Sequence, residues 1–95
     1  MLDIGGDIGA LVVRLDPGTE GTELHVRAPA VTDWTIHTGV WERHQGDGHV
    51  TVALFPELRE GTWIVLDEHG QDVTSVTVTG GALATLDLRA TAATG

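Results

Sequence analysis

The sequence predicts an all-β protein, a seven-stranded antiparallel β-sandwich, from three observations. Short apolar runs with a period of two recur along the chain, as in strands with one buried face. Turn-forming residues, mainly Gly, Pro and Asp, separate these runs at short intervals. No stretch repeats its apolar residues with the 3.6-residue period of a helix. We therefore expect residues 1–95 to form a single β-sandwich domain.

Two predicted strands occupy the first part of the chain. Residues 10–15 form an apolar run that ends at an Asp-Pro-Gly sequence, where the fixed φ of proline favours a turn. Residues 24–28 form the second strand, because Leu24 and Val26 alternate with charged or polar neighbours. This alternation predicts that Leu24 and Val26 face the core.

A third strand is predicted over residues 34–38, and residues 40–44 and 49–55 are predicted to form a hairpin around a four-residue loop, residues 45–48. The loop is Gln-Gly-Asp-Gly, a composition common in turns. Direct pairing across it gives three opposed pairs: Trp41 with Val52, Arg43 with Val50, and His44 with His49.

The inward face of this hairpin depends on Trp41. Val50, Val52 and Leu54 make one face of residues 49–55 apolar, so Trp41, opposite Val52, is predicted to point inward. Ile36 is also predicted to point inward, but it lies five residues before Trp41, and strict alternation cannot place both on one face. We therefore predict an extra residue or break at Thr38-Gly39, where a glycine interrupts the strand.

The last part of the chain predicts a three-stranded meander over residues 62–66, 73–79 and 82–88. A polar turn joins the first two strands, and Gly80-Gly81 joins the last two. A two-residue Gly-Gly linker is a strong signal for an antiparallel hairpin. The residues predicted to fill the core of the whole domain are Val26, Ile36, Trp41, Val52, Leu54, Trp63, Val65, Val78, Leu86 and Leu88.

This last third of the chain also carries a resemblance to a known family. The residues concerned are Leu58, Gly61, Thr62, Trp63, Val65, Val76, Val78, Gly80, Gly81, Leu86 and Leu88. Their spacing resembles the end of prealbumin-like β-sandwich modules of the Cna-B and carboxypeptidase regulatory-domain types, with Trp63 where that pattern usually has Tyr. The resemblance implies a prealbumin-like or immunoglobulin-like sandwich. Separately, the opening residues MLDIGGDIGALVV are similar to a group of short actinobacterial proteins, some of which are labelled phospholipases.

The composition excludes several classes of partner. Fourteen acidic residues stand against five arginines and no lysine, for a net charge of −9. Such a surface repels phosphate, so neither nucleic acid nor an anionic membrane is an expected partner. No cysteine is present, which excludes disulfides and Cys-ligated zinc. With neither a leader-like segment nor a long apolar run, we expect a cytoplasmic protein.

No catalytic constellation emerges from the residues, so we expect neither enzymatic activity nor a cofactor. The one serine, Ser75, lies inside a strand-like run and lacks the flanking glycines of a nucleophile elbow. A lipid hydrolase is therefore the least favoured function. The Cna-B resemblance implies an intramolecular cross-link that uses Lys. This cross-link cannot form here, because the chain contains no Lys.

Glu42, His44 and His49 are the candidate metal ligands. In the predicted hairpin the two histidines are opposed, and Glu42, two residues before His44, shares their outward face. Two imidazoles and one carboxylate can bind zinc with a position left open, and Asp47 could add a ligand. The simpler interpretation, which we prefer, is a polar cross-strand pair on a solvated face.

The three tryptophans are interpreted as core residues. An exposed Trp34 would instead indicate a carbohydrate-binding platform. The predicted function is a small non-catalytic protein-interaction module whose edge strands could also support homo-oligomerisation or strand addition. A metal-binding protein is the alternative.

Overall fold

The computed structural model describes residues 5–31, 33–46, 48–67 and 69–89, and within them the chain is all-β, as predicted. The described residues contain seven strands and no helix. The strands are β1 (Ile8–Leu15), β2 (Glu23–Arg27), β3 (Ile36–Gln45), β4 (Gly48–Arg59), β5 (Gly61–Leu66), β6 (Asp72–Val78) and β7 (Leu83–Asp87).

The seven strands form one mixed sheet with the order β6-β5-β2-β3-β4-β1-β7. All neighbours are antiparallel except β1 and β7, which are parallel, so the prediction of a purely antiparallel fold is wrong. The sheet curls until its terminal strands, β6 and β7, approach each other, giving a nearly closed, barrel-like shape.

Strand β3 lets the sheet curl because it changes partner along its length. Its first part pairs with β2 as far as Gly39, and its second part pairs with β4 from Val40 onward. The predicted extra residue at Thr38-Gly39 is absent. Ile36, Thr38 and Val40 keep strict alternation, with Val40 buried in the core and Ile36 packed against it.

The one irregularity of β4 lies near its C-terminal end. Between Gly9 and Leu11 of β1 the chain advances two residues, but the opposing residues, Leu58 and Phe55, are three apart. The extra residue forms a bulge next to Pro56, which has no N–H to pair. As a result Phe55 and Leu58, both 1% exposed, face the core despite their odd spacing.

The core cluster contains buried residues from every strand from β1 to β6. Among the predicted core residues, Val26, Val52, Trp63, Val65 and Val78 are buried, whereas Ile36, Leu54, Leu86 and Leu88 are half-buried. Trp41 is exposed. The largest fully buried side chains are Phe55, Leu11 and Leu58. Trp63 enters the core with its polar atom satisfied, because its Nε1–H donates to the carbonyl of Arg59 at 2.8 Å.

The connection at Gly80-Gly81 is a turn, but it does not form the predicted hairpin. The N–H of Ala82 donates to the carbonyl of Thr79 at 3.1 Å, and only Gly81 of the two glycines has a positive φ, 76°. Positive φ at the third position alone is the type II geometry, which splays the flanking strands instead of pairing them. Consequently β7 leaves β6 and runs parallel to β1.

Candidate functional site

The β3–β4 hairpin has the predicted register. Trp41 pairs with Val52, Arg43 with Val50, and His44 with His49. Gln45 and Gly48 also pair, so the connection is two residues long instead of four. Gly46 has a φ of 60°, as a tight hairpin turn requires at its first position.

Trp41 points outward, with 64% of its surface exposed, so its predicted inward placement is wrong. Val40, 4% exposed, takes the inward position instead. The prediction failed because β4 is apolar on both faces: Ala53 and Phe55 face the core, while Val52 lies beside Trp41. Hydrophobic alternation cannot choose between two apolar faces.

The outer half of β3 has a free edge. The N–H of Val40 donates to the carbonyl of Thr22 at 3.0 Å, and the carbonyl of Val40 accepts from Gly21 N–H at 3.1 Å. The backbone groups of Val40 therefore point away from β4. Because this direction alternates along an antiparallel strand, those of Glu42 and His44 point the same way. Within the described part of the chain, nothing pairs with this edge beyond Val40.

A groove of about 600 Å³ runs along this edge. It is open to solvent, with Val40 at its base and the side chains of Trp41 and Glu42 emerging on opposite faces of β3. The residues that line it are Glu20, Gly21, Thr22, Glu23, Gly39, Val40, Trp41 and Glu42. Three of these eight residues are glutamates, so the groove is negatively charged.

Glu20 is fixed in place by the body of the protein. The hydroxyl of Thr51, which is 5% exposed, donates to Glu20 Oε2 at 2.6 Å, and Gly18 N–H donates to Oε1 at 3.0 Å. The Thr51 hydrogen bond is the main reason why the pKa of Glu20 lies below its ordinary value. Glu20 therefore keeps its negative charge to a lower pH than an ordinary glutamate does.

The candidate metal ligands do come together, but on the other face of the hairpin. His44 and His49 have ring centroids 4.4 Å apart, and Glu42 Oε1 lies 3.7 Å from His49 Nδ1. Their strand positions share the side of Val40 and Ala53, beyond the end of the core, not the outward side of Trp41. As placed, no three His, Asp or Glu side chains of the described residues form a group able to hold a metal ion. Asp47 lies outside the described residues.

A second His–Glu group was missed by sequence reasoning. His25 and His37 pair across β2 and β3, with ring centroids 5.5 Å apart. Glu23 lies 3.9 Å from Nε2 of each ring, and Thr35 Oγ1 lies 3.0 Å from His25 Nδ1. Their pairing could have been found only from the β2–β3 register. The connection between Arg27 and Ile36 is too long for its turn residues to fix that register.

Trp34 and Ser75 complete the set of sequence candidates. Trp34 is 51% exposed, not a core residue, which is the condition that a carbohydrate platform requires. Ser75 is exposed in the middle of β6, opposite Ile64. Among the described residues its hydroxyl makes no hydrogen bond with an imidazole or a carboxylate.

No protein-family model matches this chain, and neither the curated proteins nor the solved structures contain a match to it. The likeness to prealbumin-like modules and to phospholipase-labelled proteins thus has no support from these comparisons, and the all-β fold is what the structure establishes. None of the described residues belongs to a helix long and apolar enough to cross a membrane.

Proposed function

We propose that this protein is a small non-catalytic interaction module that binds a protein partner through the outer half of its β3–β4 hairpin. One observation carries the proposal: Trp41 is 64% exposed on a regular strand in a chain with only three tryptophans. Burying an indole is strongly favourable, and Trp is enriched at the centres of protein interfaces.

The surroundings of Trp41 support an interface. Its outward face continues over Val52, Leu54 and Pro56, which with Trp41 line a second groove of about 400 Å³. An apolar centre with a charged residue at its rim, here Arg43, is the usual anatomy of a protein-binding patch. Among the described residues, no imidazole or carboxylate bonds to the Ser75 hydroxyl, which favours a non-catalytic role over a lipid hydrolase.

We also propose that the fold is a prealbumin-like β-sandwich and that the protein is cytoplasmic. Residues of both halves of the sheet meet in one core cluster, as they would in a prealbumin-like sandwich. A cytoplasmic location is compatible with a fold that contains no cysteine and needs no oxidising compartment.

The test is affinity capture from the native host, with Trp41→Ser and Trp34→Ser as matched variants. Both change an exposed tryptophan to serine, but Trp34 lies just before β3 and Trp41 lies within it. We expect Trp41→Ser to lose a partner that the wild type and Trp34→Ser retain. Loss with Trp34→Ser alone would favour a Trp34 ligand such as a carbohydrate, and equal capture by all three proteins would overturn the proposal.

Metal binding is the second candidate, favoured by the 4.4 Å approach of the His44 and His49 rings beside Glu42. These side chains are exposed and free to rotate toward a common ion. We expect Zn²⁺ to bind the metal-free protein in calorimetry, and His44→Ala to abolish binding with little change in melting temperature. His37→Ala is the control, because it removes a histidine from the other pair. No uptake by the wild type near neutral pH would exclude this function.

A further inference from the structure

The geometry points to one kind of partner: we propose that an extended basic segment adds as a strand to the free edge of β3 at Glu42 and His44. This inference deepens the interaction function proposed above and rests on it. The segment lies in the groove between β3 and residues Glu20–Glu23. Basic and aliphatic residues alternate along the segment.

The backbone of β3 supplies the first part of the argument. Gly21 and Thr22 already act as a short strand partner, since the Gly21 N–H donates to the Val40 carbonyl and the Thr22 carbonyl accepts from the Val40 N–H. The next backbone groups in the same direction are those of Glu42, which lines the groove, and those of His44 beyond it. An extended peptide there continues the ladder, which is the general mode of recognition by strand addition.

The side chains of β3 fix the chemistry on each face of the added strand. A partner residue opposite Glu42 lies on the side of Glu42 and Glu20, where a cation is favoured. Its neighbours lie on the other side, beside Trp41. Arg43 follows on that side and disfavours a second cation, so aliphatic residues fit there. The segment therefore alternates basic and aliphatic residues.

Charge complementarity selects a basic partner over an acidic one. The chain carries a net charge of −9, and the groove contains three carboxylates and no arginine. Among the described side chains, only imidazoles lie within ion-pair distance of Glu23 and Glu42, at 3.7–3.9 Å. Three arginines pair elsewhere: Arg27 with Asp72, Arg59 with Asp7 and Arg89 with Asp87. An incoming arginine or lysine thus meets negative charge that no described cation of this chain neutralises.

The other open edges of the sheet are less suitable. β6 and β7 are the terminal strands, and they approach each other across the seam of the nearly closed sheet. A strand added to either one must enter this narrow space. The outer half of β3 projects beyond β2, so its edge is open to solvent.

The first experiment uses a synthetic capped peptide of alternating Arg and Val as the probe, with the full chain. We expect calorimetry to detect binding that weakens as NaCl rises, and a peptide with Glu in place of Arg not to bind. Trp41→Ser should weaken binding about tenfold, and Glu42→Gln a few-fold. N-methylation of alternate peptide amides should abolish binding in one phase of the alternation and not in the other, because only every second amide faces β3.

The second experiment tests the edge itself with a matched pair at one position. His44→Pro removes an N–H that points away from β4, a place where edge strands tolerate proline, whereas His44→Ala keeps this N–H. We expect His44→Pro to bind the Arg-Val peptide at least tenfold more weakly than His44→Ala, with both variants folded. The N-methylated peptides give the same information if His44→Pro does not fold.

The outcomes separate this inference from the function on which it rests. If the Arg-Val peptide does not bind, or binds regardless of N-methylation, strand addition by a basic segment is wrong. A Trp41-dependent partner would still leave the interaction function standing. Concentration-dependent dimerisation that His44→Pro abolishes would identify a second copy of this chain as the occupant and would also overturn the proposal.

Discussion

At the scale of single residues, the core encloses polar atoms only where a partner is in reach. Thr51 is the buried polar residue among those described, and its hydroxyl donates to Glu20. The indole N–H of Trp63 likewise donates to the Arg59 carbonyl. No buried side-chain N or O of the described residues is left without a hydrogen-bond partner. A buried donor without a hydrogen-bond partner costs about 1–3 kcal/mol. These two hydrogen bonds avoid that cost for Thr51 and Trp63.

Replacing Thr51 by Val tests the link between the core and the groove. The substitution keeps the shape and removes the donor, so the pKa of Glu20 should rise toward its ordinary value in an NMR titration. A lowered pKa in the folded state stabilises the protein above the unfolded-state pKa, and this contribution is lost as pH falls through the folded-state pKa. The difference in unfolding free energy between wild type and variant should therefore shrink as the solution is acidified.

The control for this prediction is Glu20→Gln, which removes the titrating group. In the Glu20→Gln background, Thr51→Val should no longer show that pH-dependent difference. An unchanged Glu20 pKa in the Thr51→Val protein would mean that the 2.6 Å contact does not form in solution.

At the scale of elements, local signals predicted more than long-range ones. The β3–β4 register followed from the turn residues and was correct, and it brought His44 and His49 together. The prediction that Trp41 points inward was wrong because both faces of β4 are apolar. The groove could not be predicted at all, since one wall comes from the distant β1–β2 connection. The parallel pairing of β7 with β1 was also missed, because Gly80-Gly81 permits several turn types with different strand directions.

Gly9 tests how β1 fits against the connection from β6 to β7. A Cβ at Gly9 would collide with the carbonyl oxygens of Thr79 and Ala82 and with Val78, and backbone atoms cannot move aside cheaply. We expect Gly9→Ala to lower the free energy of unfolding by about 1–3 kcal/mol in denaturant titrations. Gly39→Ala is the matched control, because its Cβ would make only ordinary contact, 3.5 Å from Trp41 Nε1.

The Gly39→Ala variant should be unchanged or slightly more stable, since Ala is favoured over Gly inside a strand by roughly 0.5–1 kcal/mol. Equal stability of the two variants would show that the β6–β7 connection does not pass over Gly9 in solution.

At the scale of the whole molecule, the fold is a sheet with a seam. β1 and β4 are paired on both sides, whereas β6 and β7 are each paired on one side only. At the β6–β7 connection the Gly81 N–H donates to the Ile8 carbonyl at 2.8 Å, which ties this end of the seam to β1. Away from this point, half-buried side chains such as Val76 and Leu86 cover the core. Opening along the seam therefore breaks few hydrogen bonds, so it should be the lowest-energy fluctuation of the sheet.

Hydrogen exchange followed by NMR tests this directly. Amides of β1 and β4, such as those of Val13 and Ala53, should exchange only on global unfolding, because both strands are central and these side chains are fully buried. The β6 amides that point away from β5 should exchange fastest, since they face the seam without a strand partner. Amides of β6 that point toward β5 provide an internal control within one strand. If both sets of β6 amides were as protected as those of β1, the seam would be closed by pairing between β6 and β7, and the strand order would have to be that of a complete barrel.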